Sequence, residues 1–226
     1  MKRIKVLLIR FRNELHRNDI PLFRGAIIHM LQNNNILFHN HAENGLRYAY
    51  PLIQYKRLNN KAAIVCMEEG TETIGEFFSC FSKVLRIGDS EIQLELDNIK
   101  AEQVLVQVWR SDFIYSIRRW IPFNSENHER YSKMTSLREQ LELMEKILIG
   151  NVLSFAKGIG VQLQQQLSCS IVSMESKGLI TFKHVRFETF DILFKINISL
   201  PDYIGLGKGV SHGFGTIVRM NTNGQT

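Results

Sequence analysis

Tyr55-Lys56-Arg57-Leu58-Asn59-Asn60-Lys61-Ala62-Ala63-Ile64-Val65-Cys66-Met67 decides how the first half of this chain folds. Two runs rich in β-formers, 48–58 and 61–67, flank Asn59-Asn60. A two-residue link of asparagines tolerates the positive φ that a tight hairpin requires. Upstream, Lys2 to Phe11 alternates in the manner of a strand. Asp19 suits a helix N-cap and Pro21 the first turn that follows. Residues 21–31 then place Leu22, Ala26, Ile27 and Met30 on one apolar face, and the polar run Gln32 to Asn35 ends the helix. Downstream, 71–84 reads as a second helix and 91–96 as a strand. The order β-α-β-β-α-β predicts a ferredoxin-like split βαβ unit.

The second half begins again. Residues 103–109 and 113–120 read as strands. Ser136 to Phe155 is a helix, with Leu137, Leu141, Met144, Leu148 and Val152 at three- or four-residue spacing. Its Glu139, Glu142 and Glu145 read as a solvated face. Residues 167–174, 179–188, 189–198 and 216–220 read as further strands. The expected fold is therefore α+β: tandem ferredoxin-like (RRM-like) βαββαβ domains over 1–100 and 101–226. The second is distorted and strand-rich, and a glycine-rich loop precedes its last strand.

The net charge is +6 at pH 7, and its distribution says more than its sum. Residues 1–60 hold ten Lys/Arg against three acids, an excess of seven, so the rest of the chain carries a net of −1. A basic N-terminal half points to a polyanion, most simply nucleic acid; the bland alternative is a basic soluble surface. The N-terminus shows no signal-peptide pattern, and no stretch approaches a membrane span. Cys66, Cys80 and Cys169 lack metal or redox spacing and read as free thiols in a reducing cytoplasm.

Near the C-terminus stands Gly205-Leu206-Gly207-Lys208-Gly209-Val210-Ser211-His212-Gly213-Phe214-Gly215. A nucleotide P-loop requires Ser or Thr after the lysine, where this chain has Gly209. A dinucleotide fingerprint requires GxGxxG opening a helix, whereas a strand-like run follows here. Glycines that bring the backbone close to an anion, together with Lys208, suggest a cradle for a phosphate backbone. Gly205, Gly207, Lys208, Gly209, Gly213 and Gly215 are its candidate contacts, and a glycine-rich hairpin without a ligand is the competing reading. Arg118-Arg119-Trp120 adds two candidate phosphate contacts, or an exposed basic strand edge.

Phe38-His39-Asn40-His41 lies in the basic half, followed by Arg47-Tyr48-Ala49-Tyr50 and Tyr55-Lys56-Arg57. In an extended segment, histidines at i and i+2 point the same way. Histidine titrates near neutrality, so such a pair can supply a general base and a general acid. RNA brings its own nucleophile, the 2′-hydroxyl, so cleavage then requires no metal. Tyrosine or lysine nearby could orient or neutralise the phosphate. Two zinc ligands, or two solvated loop histidines, are the competing readings. A structural zinc site needs four ligands, and the cysteines show no matching spacing. His29, His128 and His184 have no motif context; His212 lies inside the glycine loop.

With these residues in view, the chain resembles the repeat-associated RAMP proteins, and within them the CRISPR RNA-processing endoribonucleases. The likeness rests on the terminal glycine loop, two tandem ferredoxin-like units and overall length. It implies cleavage of CRISPR repeat RNA by 2′-hydroxyl attack, leaving a 2′,3′-cyclic phosphate and a 5′-hydroxyl, with no metal or other cofactor. Some members place an HxH pair after the first helix and a tyrosine shortly downstream. His39, His41 and Tyr48 match that pattern and are the implied catalytic residues; Lys56 is a candidate phosphate contact. The resemblance implies precursor repeat RNA as partner, with other CRISPR effector-complex subunits and a second copy of the chain as further candidates. Non-catalytic RNA-binding RAMP subunits share the fold and loop and form the alternative.

Overall fold

Asn59 and Asn60 take left-handed φ angles of 49° and 67°, as a tight hairpin demands. They join β4 (Ile53–Leu58) to β5 (Lys61–Met67) in an antiparallel pair running from Ile53↔Cys66 to Leu58↔Lys61. The computed structural model describes residues 2–31, 41–42, 45–46, 50–79, 84–88, 90–182 and 185–220, with only the backbone at 41–42 and 45–46. The chain divides into two compact units. One holds Arg3–Val104 with Ser211–Gly213; the other holds Lys2, Leu105–Val210 and 214–220.

In the first unit, β1 (Lys2–Glu14) pairs antiparallel with β5, and β8 (Leu96–Val106) completes a sheet of order β4-β5-β1-β8. This is the strand order of the ferredoxin-like unit, as expected. Helix α1 (Ile20–Leu31) packs against one face. Ile9, Phe11, Phe23, Ile27, Tyr55, Ile64 and Phe77 form the core there. Phe11, Phe23 and Tyr55 meet edge to face, with centroids 6.1 and 5.9 Å apart, an arrangement worth about 1 kcal/mol per pair beyond burial.

Three expectations for this unit are corrected. The buried face of α1 is Ile20, Phe23, Ile27 and Met30, while Leu22 is 47% exposed; the face turns to bury the larger Phe23 ring. The single helix expected over 71–84 is two short ones, α2 (Glu69–Thr73) and α3 (Gly75–Ser79). The strand expected over 91–96 is displaced: a small hairpin, β6 (Leu85–Ile87) with β7 (Ser90–Ile92), precedes β8. The segment leading into β8 is tied to β1: the Arg12 amide donates to Glu95 O (2.8 Å), the Asn13 side-chain amide donates to Gln93 O, and Asn13 Oδ1 accepts the Glu95 amide.

The second unit repeats the strand order. β9 (Val108–Trp120), β10 (Cys169–Phe182), β11 (Val185–Ile198) and β12 (Thr216–Met220) lie as β10-β11-β9-β12, with every neighbouring pair antiparallel. Helices α4 (Ser125–Lys133) and α5 (Leu137–Gly158) connect β9 to β10. Asn124 caps α4, its Oδ1 accepting the Asn127 amide at 2.7 Å. α5 buries Leu143, Met144, Leu148, Val152 and Phe155, while Leu137 is exposed. Glu145 is not a purely solvated residue, because its carboxylate accepts the Ile171 amide of β10 at 2.9 Å. The second helix of the βαββαβ pattern is missing: residues 199–215, with only a 3₁₀ turn at Val210–His212, connect β11 to β12. The expected strand-rich unit is corrected: the run read over 103–109 divides between β8 and β9, and that over 179–188 between β10 and β11, leaving four strands, with the glycine-rich loop in the helix's place. Among the described residues no helix is long and apolar enough to cross a membrane.

Candidate functional site

The glycine loop is built by close packing. A Cβ on Gly207 would lie 2.7 Å from Trp120 Nε1 and 2.9 Å from Ile121 O, and its φ is +90°. A Cβ on Gly215 (φ +61°) would collide with the Leu206 carbonyl oxygen. Both positions therefore require glycine, for space and for backbone conformation together. Four of the loop's amides are used internally: Leu206 N–H donates to Gly215 O (2.9 Å), Lys208 to Ile121 O (3.3 Å), Phe214 to Gly209 O (3.4 Å) and Gly215 to Arg119 O (3.2 Å). Trp120, fully buried beside the loop, donates from Nε1 to Asn151 Oδ1 at 2.9 Å.

What the loop displays is Lys208. It is exposed, and its Nζ sits 5.1 Å from the centroid of the Phe187 ring, within cation–π range. Partial burial lowers its pKa from the ordinary lysine value. Arg119 belongs to the same construction. It lies at a break in the β9–β11 register with φ 52°, its amide donates to Asp191 Oδ1 (2.7 Å), and its guanidinium stacks 4.5 Å from the Phe214 centroid. Arg118, opposite Thr216 on β12, is exposed. The structure thus brings Lys208, Arg118, Arg119 and the loop glycines into one unit, Gly213 excepted. Gly213 (φ +82°) packs with the first unit, where a Cβ would meet Ile20 Cδ1 at 2.7 Å. Next to it, Ser211 Oγ and His212 Nδ1 are 3.1 Å apart.

In the first unit, His39 and Tyr48 lie outside the described residues. His41 opens β2 (His41–Ala42), which pairs with β3 (Gly45–Leu46) through His41↔Leu46. The backbone at His41 is therefore extended. Lys56 lies on β4 with its side chain only 1% exposed. It projects from the face opposite Tyr55, which enters the α1 core. Burial strips the ammonium of water and brings its pKa down to about 7. Lys56 is an interior lysine, not a surface one. Among the described residues no cluster of three or more His, Cys, Asp or Glu could hold a metal ion.

Two further features escape a reading of the sequence. Burial pushes the Tyr55 hydroxyl well above the ordinary phenol range, the nearby Arg24 charge opposing it in part; no local pattern marks that pair. In the second unit, a cavity of about 200 Å³ opens between the β9–α4 connection and the start of β11. Its lining includes Ile121, Phe123, His128, Arg186, Phe187 and Glu188. Segments some sixty residues apart build it through the β9–β11 pairing, so the sequence carries no local signal for it.

Comparison with known proteins places these units. A family model described as the Cas6b N-terminal domain matches residues 2–104, and one described as the Cas6b C-terminal domain matches residues 107–220. The uncharacterized protein MJ0978 of Methanocaldococcus jannaschii is 33% identical over 104 residues, 46% of this chain and 69% of that protein. A crystal structure of Cas6b superposes with a TM-score of 0.89 at 26% identity, covering 97% of this chain and 100% of that one. A crystal structure of the CRISPR RNA processing endoribonuclease Cas6b has the same coverage, with a TM-score of 0.75 at 23% identity. A type IV Cas6 crRNA endonuclease, Csf5, shares the fold at a TM-score of 0.57 and 15% identity, covering 97% of this chain and all of that one.

Proposed function

The chain belongs to the Cas6b family, and on that premise we propose that it is an endoribonuclease that matures CRISPR RNA, cutting within each repeat without a metal ion. The observation that carries the reading is the pair of Cas6b domain matches over residues 2–104 and 107–220. The substrate follows from a structural neighbour named as a CRISPR RNA processing enzyme.

The chemistry is a transesterification within RNA. One histidine of the His39/His41 pair takes the proton from the 2′-hydroxyl, and the 2′-oxygen attacks the adjacent phosphorus. The P–O5′ bond breaks as the other histidine delivers a proton to the leaving 5′-oxygen. No water is consumed, and the products are a 2′,3′-cyclic phosphate and a 5′-hydroxyl. Tyr48 orients the 2′-hydroxyl or assists at the scissile phosphate. Support comes from residue chemistry: an HxH pair in a basic region holds two groups that titrate near neutrality. In this division of labour, domain 1–100 carries the cleavage chemistry, while domain 101–226 offers Lys208, Arg118 and Arg119 to the RNA backbone. The loop glycines act by shaping the segment that carries Lys208.

The test is cleavage of repeat RNA in excess EDTA, with product ends mapped. Expected are chelator-resistant cutting, a cyclic phosphate terminus, and a rate loss of about 10²–10⁴-fold in His39→Ala or His41→Ala, the usual span for one acid or base. Tight binding by wild-type protein without any cutting would reduce the protein to a binding subunit. Activity that disappears on chelation and returns with a divalent cation would replace this mechanism.

A further inference from the structure

The cavity between the β9–α4 connection and β11 is built from groups suited to one class of ligand. Phe123, 3% exposed, is fixed by Tyr131 at 4.7 Å and Phe190 at 5.8 Å between centroids. His128 meets the same ring at 6.0 Å. Phe187, half-buried, lines the cavity from β11 and carries the Lys208 ammonium over its ring. Arg186 and Glu188 line the cavity on either side of Phe187 in sequence. Glu188 is held by Ser176, whose hydroxyl donates to Oε1 at 2.8 Å, so an acceptor-only group stands at the rim.

Aromatic walls suit a flat ring, and the carboxylate suits an edge that donates N–H. Two cations suit an anion attached to that ring. Together these describe a nucleobase with its phosphate. At about 200 Å³ the cavity holds one ring system; ligands of drug size occupy roughly 300–1,000 Å³. Residues on single-stranded RNA are commonly read this way, with a base splayed out onto an aromatic side chain.

We propose that this cavity takes a single unstacked base of the RNA against Phe187, with Lys208 and Arg186 meeting its phosphate. The inference rests on the RNA-processing reading and adds to it the place in the C-terminal unit where a base is recognised. Glu188, an acceptor, meets an N–H on the edge of that base.

The probe is fluorescein-labelled repeat RNA from the CRISPR array of the same genome, carrying an abasic substitution at each position in turn. Fluorescence anisotropy reads its affinity for wild-type protein and for Phe187→Leu. One abasic position should weaken wild-type binding about 5- to 150-fold, the effect of deleting one base–aromatic stack. Phe187→Leu should weaken intact RNA by a similar factor, add nothing further at that one position, and be rescued by Phe187→Trp. Equal binding of intact RNA by wild type and Phe187→Leu overturns the inference. So does a Phe187→Leu loss that stays constant at every abasic position. Thermal unfolding checks that the leucine variant is folded. Should it not be, the exposed change Lys208→Gln supplies the second arm: it should weaken binding and flatten its salt dependence, and unchanged affinity and slope overturn the inference. Wild-type protein that binds no repeat RNA overturns the RNA-processing reading and this one with it. Normal binding and cutting by wild type with an indifferent Phe187→Leu overturns this one alone.

Discussion

Lys56→Met should change how stability depends on pH. Burial lowers the Lys56 pKa from 10.5 to about 7, so across that window the unfolded chain holds a proton that the folded chain has released. Stability rises with pH wherever the unfolded state binds more protons, here by up to about 1.4 kcal/mol per pH unit. The folded lysine is still half protonated near pH 7, so the contribution between pH 7 and 9 sums to about 2 kcal/mol. From about pH 8 an effect of opposite sign enters, alike in both proteins. Burial raises the Cys66 thiol and pushes Cys169 to about 12. Unfolded thiols then ionise first, and stability falls with further rise in pH. The informative window is therefore pH 7–9, and the assay is urea denaturation of both proteins at pH 7, 8 and 9. The wild type should gain about 2 kcal/mol more than Lys56→Met over that range. Parallel profiles would refute the assignment of an interior, readily deprotonated lysine. The same variant tests the expectation that Lys56 contacts phosphate: a buried lysine that stays clear of RNA leaves the salt slope of RNA binding unchanged, whereas each lost phosphate contact lowers it by about one.

Gly207→Ala combines a φ of +90° with a Cβ placed 2.7 Å from Trp120 Nε1; the expected cost is roughly 2–5 kcal/mol, read as a lowered thermal midpoint. Gly25→Ala, in helix α1 with nothing within 4 Å of its new Cβ, is the control, and should be neutral or stabilising by up to about 1 kcal/mol. Asn60→Val puts a β-branched residue at φ 67° in the β4–β5 turn and should cost about 1–2 kcal/mol in denaturant titration; an unchanged midpoint would show that the turn has another conformation.

The fold was legible where periodicity and turn chemistry agreed. Asn59-Asn60 marked the first hairpin, and the strands on either side of α1 emerged in the expected order, whereas around α5 the runs read over 103–109 and 179–188 each straddle two strands. β8 was misplaced because 96–104 is exposed on both faces and so lacks the apolar alternation that marks a half-buried strand. The phase of α1 was missed because Leu22 and Phe23 are both apolar, and only packing decides which one turns inward. Lys56 read as a candidate phosphate contact because nothing in Tyr55-Lys56-Arg57 records that both faces of β4 are covered. The candidate histidines were legible as a spacing, but a spacing specifies chemistry without geometry. The cavity around Phe187 was invisible for another reason: it joins 121–128 to 185–188, segments that meet only through the pairing of β9 with β11.

The glycine run changes meaning once its packing is known. An anion cradle displays amides, yet Leu206, Lys208, Phe214 and Gly215 direct theirs to carbonyl oxygens of the protein. Gly207 and Gly215 leave no room for a Cβ because Trp120 and Leu206 already occupy it. The run therefore specifies how a chain without a second helix returns from β11 to β12. On the RNA-binding proposal, that route has a consequence for Lys208. With its backbone fixed at Ile121 on one side and its side chain over Phe187 on the other, Lys208 is a positioned charge. A lysine on a mobile loop would attract RNA without discriminating among its phosphates. Under the proposed base-binding role, one held over the Phe187 ring favours the phosphate of a single nucleotide and couples backbone attraction to base recognition.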